Sequence, residues 1–120
     1  MKIIASVIVI GLAAGLLGAL CGVGGGIILV PAFVTVLGLG HKQAVATSMA
    51  VIVVTSAAAT LNNATGSKLI DWKIAAITAL VAAIAAWYGS DLMRQLGNTT
   101  LTRIFAVLLI AFGVKMLWKP

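Results

Sequence analysis

The sequence predicts an all-α protein, a polytopic membrane helix bundle with a glycine-broken first segment and a half-helix. Three observations carry this expectation. Of the 120 residues, 62% are hydrophobic and only 8% charged, and the mean hydropathy is +1.23. Soluble domains are nearer about 25% charged. This chain has too few polar side chains to cover a globule in water, so lipid is the solvent for most of it. The apolar residues form four long stretches divided by short polar turns, and the first is interrupted by Gly22-Val23-Gly24-Gly25-Gly26.

The first stretch is uncharged from Ile3 to Leu37, well beyond the ~20 residues that one crossing needs. Glycine in a helix interior costs ~1 kcal/mol relative to alanine, so the cluster predicts a break. A helix is expected over about 3–20, an irregular turn, then a half-helix over about 27–37. The half-helix is ~16 Å long at 1.5 Å per residue, about half the hydrocarbon thickness. Pro31 falls in its first turns, where a missing donor is tolerated best. After the turn Gly38-Leu39-Gly40-His41-Lys42, a helix is expected over about 43–61, capped by Asn62-Asn63 and followed by the Gly66-Ser67-Lys68 loop. Two more are expected over about 72–92 and 101–118. Trp72, Trp87, Tyr88 and Trp118 stand at segment ends, as an interfacial aromatic belt predicts. Short connections imply one transmembrane domain over residues 1–120. The opening Met1-Lys2 and apolar run imitate a signal peptide, but no polar mature chain follows, so the segment is expected to be retained.

The net charge of +6 comes from isolated residues: Lys2, Lys42, Lys68, Lys73, Arg94, Arg103, Lys115 and Lys119. Nucleic-acid binding needs a clustered basic footprint, so no nucleic-acid partner is expected; headgroup anchoring fits better. If residues 3–37 make one broken crossing, the basic residues divide five to three between the two faces. If they go in and out as a hairpin, the division is four to four, which would permit either orientation. The lone Cys21 excludes an internal disulfide, and the lone His41 is not a metal site. Asp71 and Asp91, the only acids, lie at segment ends. No carboxylate therefore occupies the bilayer centre, where a proton-carrying rotor subunit or small drug exporter would need one. No nucleophile–base pair is present, so no catalytic residue, metal or cofactor is expected.

The glycine cluster is the strongest functional feature. Irregular backbone at membrane depth is tolerated only where protein buries it or where it lines a cavity. The half-helix that starts there presents free N–H groups and the positive end of its dipole, suited to an anion. Broken helices near the midplane are a transporter pattern. The candidate binding residues are Gly22, Gly24, Gly25, Gly26 and Ile27, with the hydroxyls of Thr47 and Ser48 from the next segment. Two plainer readings stand beside this. The glycines could serve only a tight helical hairpin, and the hydroxyls could bond the preceding turn of their own helix. Gly22-x-Gly24 also begins a dinucleotide fingerprint, but Ile27 stands where the last glycine belongs and no strand precedes it. Gly11, Gly15, Gly18, Ala19 and Gly22 form a small-residue stripe that allows close helix approach.

The run from Gly15 through Gly18, Gly22, Gly24, Gly25 and Gly26 to Pro31 resembles the opening signature of the sulfite exporter TauE/SafE family. The likeness continues through Leu37-Gly38 and Ala44-Val45 to Thr47-Ser48, and through Gly66 and Asp71-Trp72 to the closing 103–117 helix. Ala46 stands where that family often has glycine. The resemblance covers one repeat of a family usually built from two. It implies a multi-pass protein of the cytoplasmic (inner) membrane that exports small sulfur-containing anions such as sulfite, an organosulfonate or thiosulfate. It also implies that the second repeat comes from another chain, in a homodimer or a pair with a second half-size subunit. A structural or accessory membrane subunit and a small anion channel are the alternatives.

Overall fold

The computed structural model describes residues 1–66 and 68–119, so Ser67 of the expected loop lies outside the described residues. Five helices follow in order: α1 (Lys2–Cys21), α2 (Gly26–Thr35), α3 (His41–Gly66), α4 (Trp72–Gln95) and α5 (Asn98–Trp118). There is no strand among the described residues. All but α2 are long and apolar enough to cross a membrane.

The glycine break is real, and it reverses the chain. Gly22 ends α1 at φ 71°, and Gly24 and Gly25 follow at 64° and 84°. Three left-handed residues in four turn the backbone sharply, a conformation that glycine adopts at no steric cost. The turn tucks back against the helix it leaves. A β-carbon on Gly25 would lie 2.7 Å from the Ala14 carbonyl oxygen, and one on Gly18 would lie 2.8 Å from the Gly25 α-carbon. The start of α2 is therefore level with Ala14 and Gly18, within the length of α1 rather than beyond its end. From there α2 returns toward the start of α1, where Val36 shares a surface hollow with Ala5, Ser6 and Val9. Residues 3–37 thus form a hairpin.

The hairpin fixes the sides. Lys2 and Lys42 lie on one face, and the Lys42 ammonium donates to the Arg94 carbonyl at 2.9 Å while the Lys42 amide donates to Asn98 Oδ1 at 3.1 Å. The junction of α4 and α5 is therefore on the Lys2 face, with Arg103 one turn further on. Lys68, Lys73, Lys115 and Lys119 fall on the opposite face, so the eight Lys and Arg residues divide evenly.

The core is small and centred on α2. Leu29, Val30 and Phe33 pack against Ile10 and Ala14 of α1 and Ala44 of α3. Leu29 is 1% exposed and Ala44 is fully buried. α5 joins through a stripe of Leu101, Phe105 and Leu109 at helical spacing, each partly buried. α4 contributes no buried residue.

Helix boundaries depart from expectation at several ends. Pro31 is the sixth residue of α2, so the Ile27 carbonyl lacks its usual i+4 amide. α2 stops at Thr35, and the Leu39 amide donates to the Phe33 carbonyl at 3.1 Å across the turn that Gly38 makes. α3 begins at His41 and runs straight through Asn62-Asn63 to Gly66. The Thr65 hydroxyl donates to the Leu61 and Asn62 carbonyls there, satisfying backbone that the asparagines were expected to cap. α5 starts three residues early because Gly97 provides an extended N-cap.

Candidate functional site

A hollow of about 160 Å³ lies where the glycine turn meets α1 and α3. One wall is bare backbone, from Gly15, Gly18, Gly22 and Gly24. The other is α3, whose Thr55, Ser56, Thr60 and Asn63 line it. Thr55, Ala59 and Asn63 follow one another four residues apart, with Ser56 and Thr60 one residue on from the first two, so all five lie along one side of the helix. Gly15 and Gly22 have no atom within 4 Å of where a β-carbon would stand, so on these two residues the absent side chains open the hollow rather than admit a neighbouring helix.

The glycine turn is held to α3 by contacts on its inner side. Thr55 Oγ1 donates to the Gly24 carbonyl at 3.4 Å and to the Ile52 carbonyl at 3.2 Å. A β-carbon on Gly24 would lie 2.8 Å from Ile52 Cγ2 and 3.1 Å from Ser56 Oγ. No lining residue carries a charge. The hollow offers hydroxyls, a carboxamide and peptide groups, and no carboxylate that would repel an anion.

The expected residues separate into two groups. Gly22 and Gly24 line the hollow. Gly25 is buried against Ala14, and Gly26 packs on Ile52; these two with Ile27 form the start of α2 just behind the hollow. The Ile28 and Leu29 amides both donate to the Gly25 carbonyl. The Gly26 and Ile27 amides have no acceptor among the described residues, so the positive end of the α2 dipole is uncapped at this depth. Thr47 and Ser48 are not part of the hollow. Ser48 is 2% exposed and its hydroxyl donates to the Val45 carbonyl at 2.8 Å, the back-bond within its own helix. Thr47 is exposed. Thr55, Ser56, Thr60 and Asn63 take the place expected for that pair; the signal for them was the polar run along one face of an otherwise apolar helix.

The acids are occupied at the helix ends. Asp71 Oδ1 accepts from the Lys73 and Ile74 amides, both at 3.1 Å, and so caps α4. Asp91 pairs with Arg94 at 3.7 Å. No group of three or more metal-ligating side chains occurs among the described residues.

The family model described as Sulfite exporter TauE/SafE matches residues 2–119. The chain belongs to the sulfite exporter TauE/SafE family. That description is of a family of exporters rather than of enzymes. The probable membrane transporter protein YunE of Bacillus subtilis (strain 168) is 31% identical over 116 residues, covering 93% of this chain and 41% of its own length. The chain thus spans about two-fifths of that relative. No solved structure matches it significantly. Within the TauE/SafE signature, the glycines are those of the re-entrant turn, and Asp71 of the Asp-Trp pair is the α4 cap.

Proposed function

We propose that this chain is one half of a membrane exporter of small sulfur-containing anions of the sulfite, organosulfonate or thiosulfate type. The observation that carries the reading is the hollow at the glycine turn. It combines uncharged hydrogen-bond donors, the uncapped start of α2 behind them, and no carboxylate among its lining residues. Peptide dipoles and hydroxyls at membrane depth stabilise an anion without the desolvation cost of a buried cation. In this reading Gly22 and Gly24 supply the backbone wall and Gly25, Gly26 and Ile27 the dipole. Thr55, Ser56, Thr60 and Asn63 supply the polar wall.

A second four-span unit completes the pathway, as a homodimer or a pair with a sister subunit in the cytoplasmic membrane. The bare length of α4 supports this, because a helix with no buried residue has no role in enclosing a path within its own unit. Rocking of one unit against the other would alternate access.

Gly11 and Gly15 give the test. Both lie on α1 with open space where a side chain would go, but only Gly15 lines the hollow. In reconstituted vesicles, Gly15→Leu should abolish radiolabelled sulfite efflux at unchanged protein level, while Gly11→Leu leaves it intact. Equal flux in both variants would remove the hollow from the pathway. Conductance without saturation would indicate a channel, and no flux in the parent protein an accessory subunit.

A further inference from the structure

A second polar recess lies on the Lys2 face, between the starts of α3 and α5. It holds about 460 Å³ and is lined by His41, Asn98, Thr99, Thr102 and Arg103, with Val34 and the 39–40 turn beneath. His41 is the informative residue. It is only 7% exposed, and its ring stands edge-on to Phe105 with centroids 6.0 Å apart. Its nitrogens have no hydrogen-bond partner among the described residues. No fully buried side-chain nitrogen or oxygen lacks a partner among the described residues, so the ring nitrogens are the part of His41 left accessible, and an imidazole keeps at least one N–H in either protonation state. A ligand in the recess would give that N–H an acceptor.

The other lining groups specify the ligand's sign. The Asn98, Thr99 and Thr100 amides open α5 without acceptors, the first bond of that helix being from the Leu101 amide to Gly97. The Thr99 hydroxyl is unengaged, whereas the Thr102 hydroxyl donates to the Asn98 carbonyl at 2.9 Å. Among the described residues Arg103 faces no carboxylate; Asp91 is taken by Arg94. Each of these open groups can donate, none is a carboxylate, and one carries a permanent positive charge.

We infer that this recess binds a phosphate-type oxyanion, through Arg103, the His41 ring, the Thr99 hydroxyl and the first amides of α5. It is separate from the glycine hollow. His41 lies fourteen residues before Thr55 on α3, about 21 Å along its axis, and no residue lines both. The same chemistry fits free inorganic phosphate and the headgroup of an anionic lipid, which lies at this depth.

The experiment titrates inorganic phosphate into the full chain in a lipid-free detergent micelle, following the His41 ring and the Thr99 and Thr100 amides by NMR. In parallel, native mass spectrometry measures retention of phosphatidylglycerol against phosphatidylcholine. A saturable phosphate shift that weakens about tenfold in Arg103→Gln assigns the site to a free anion. Selective retention of phosphatidylglycerol, lost in Arg103→Gln and kept in Arg103→Lys, assigns it to lipid. If phosphate moves none of these signals and both lipids are retained equally, the inference is overturned. Gly15→Leu should change neither readout, so a failure of the proposed export route leaves this test standing.

Discussion

Gly18 and Gly25 meet backbone to backbone: a β-carbon on Gly18 would overlap the Gly25 amide nitrogen and stand 2.8 Å from its α-carbon. No flexible side chain is available there to give way. Gly18→Ala should therefore push the turn off α1 and lower stability by about 1–3 kcal/mol. Gly11→Ala, with nothing within 4 Å, should be neutral or slightly stabilising. Thermal denaturation of both variants in mild detergent checks the pair, and equal melting temperatures would contradict the close approach.

Thr55 reaches from α3 to the Gly24 carbonyl. Thr55→Val keeps the shape and removes the hydroxyl, so it should cost about 0.5–1.5 kcal/mol. The loss should be local. Hydrogen exchange at the amides of residues 24–27 should accelerate, while exchange in α4 stays as it was. Thr47→Val, at an exposed position off the hollow, should leave both unchanged.

Asp71 closes the start of α4 by accepting from two amides. Asp71→Ala should cost about 0.5–2 kcal/mol, read as faster exchange in the first turn of α4. Asp71→Asn keeps an acceptor oxygen and should retain most of the protection. An Asn variant as damaging as Ala would mean that the charge, not the cap, is what matters.

Leu29 is 1% exposed at the centre of the α2 packing. Leu29→Ala should cost about 2–3 kcal/mol, toward the low end for core truncations. Lipid is as apolar as leucine, so the loss is chiefly of packing contacts rather than of transfer from water. Leu80→Ala on α4, which has no buried residue within this unit, should be silent in the same assay.

These positions also show how far the residues alone lead. The break after Cys21 was legible because four glycines in five places cannot continue a helix cheaply. The direction of the chain after the break was not, since a kinked crossing and a hairpin share that pattern. What decides it is the fit of Gly25 against Ala14, a contact eleven residues apart. Which hydroxyls line the hollow was not legible for a related reason. Ser48, Ile52, Thr55 and Ala59 share one face of α3, so phase alone does not say which hydroxyl meets the turn. That depends on how far Gly24 reaches back along α1. The end of α3 was missed because Thr65 bonds the carbonyls near Asn62 and lets the helix run past a pair that usually stops one.

Lys42 grips the Arg94 carbonyl at one end of α4, and nothing along the rest of that helix is buried. Inside this unit α4 is an arm on a single pivot, and changing its lean sacrifices no packed surface. Membrane thickness then acts on it directly, because a helix longer than the local hydrocarbon layer accommodates by tilting. Thin and thick bilayers should hold α4 at different slopes while the α1–α2 hairpin, locked by its glycines, keeps one shape in both.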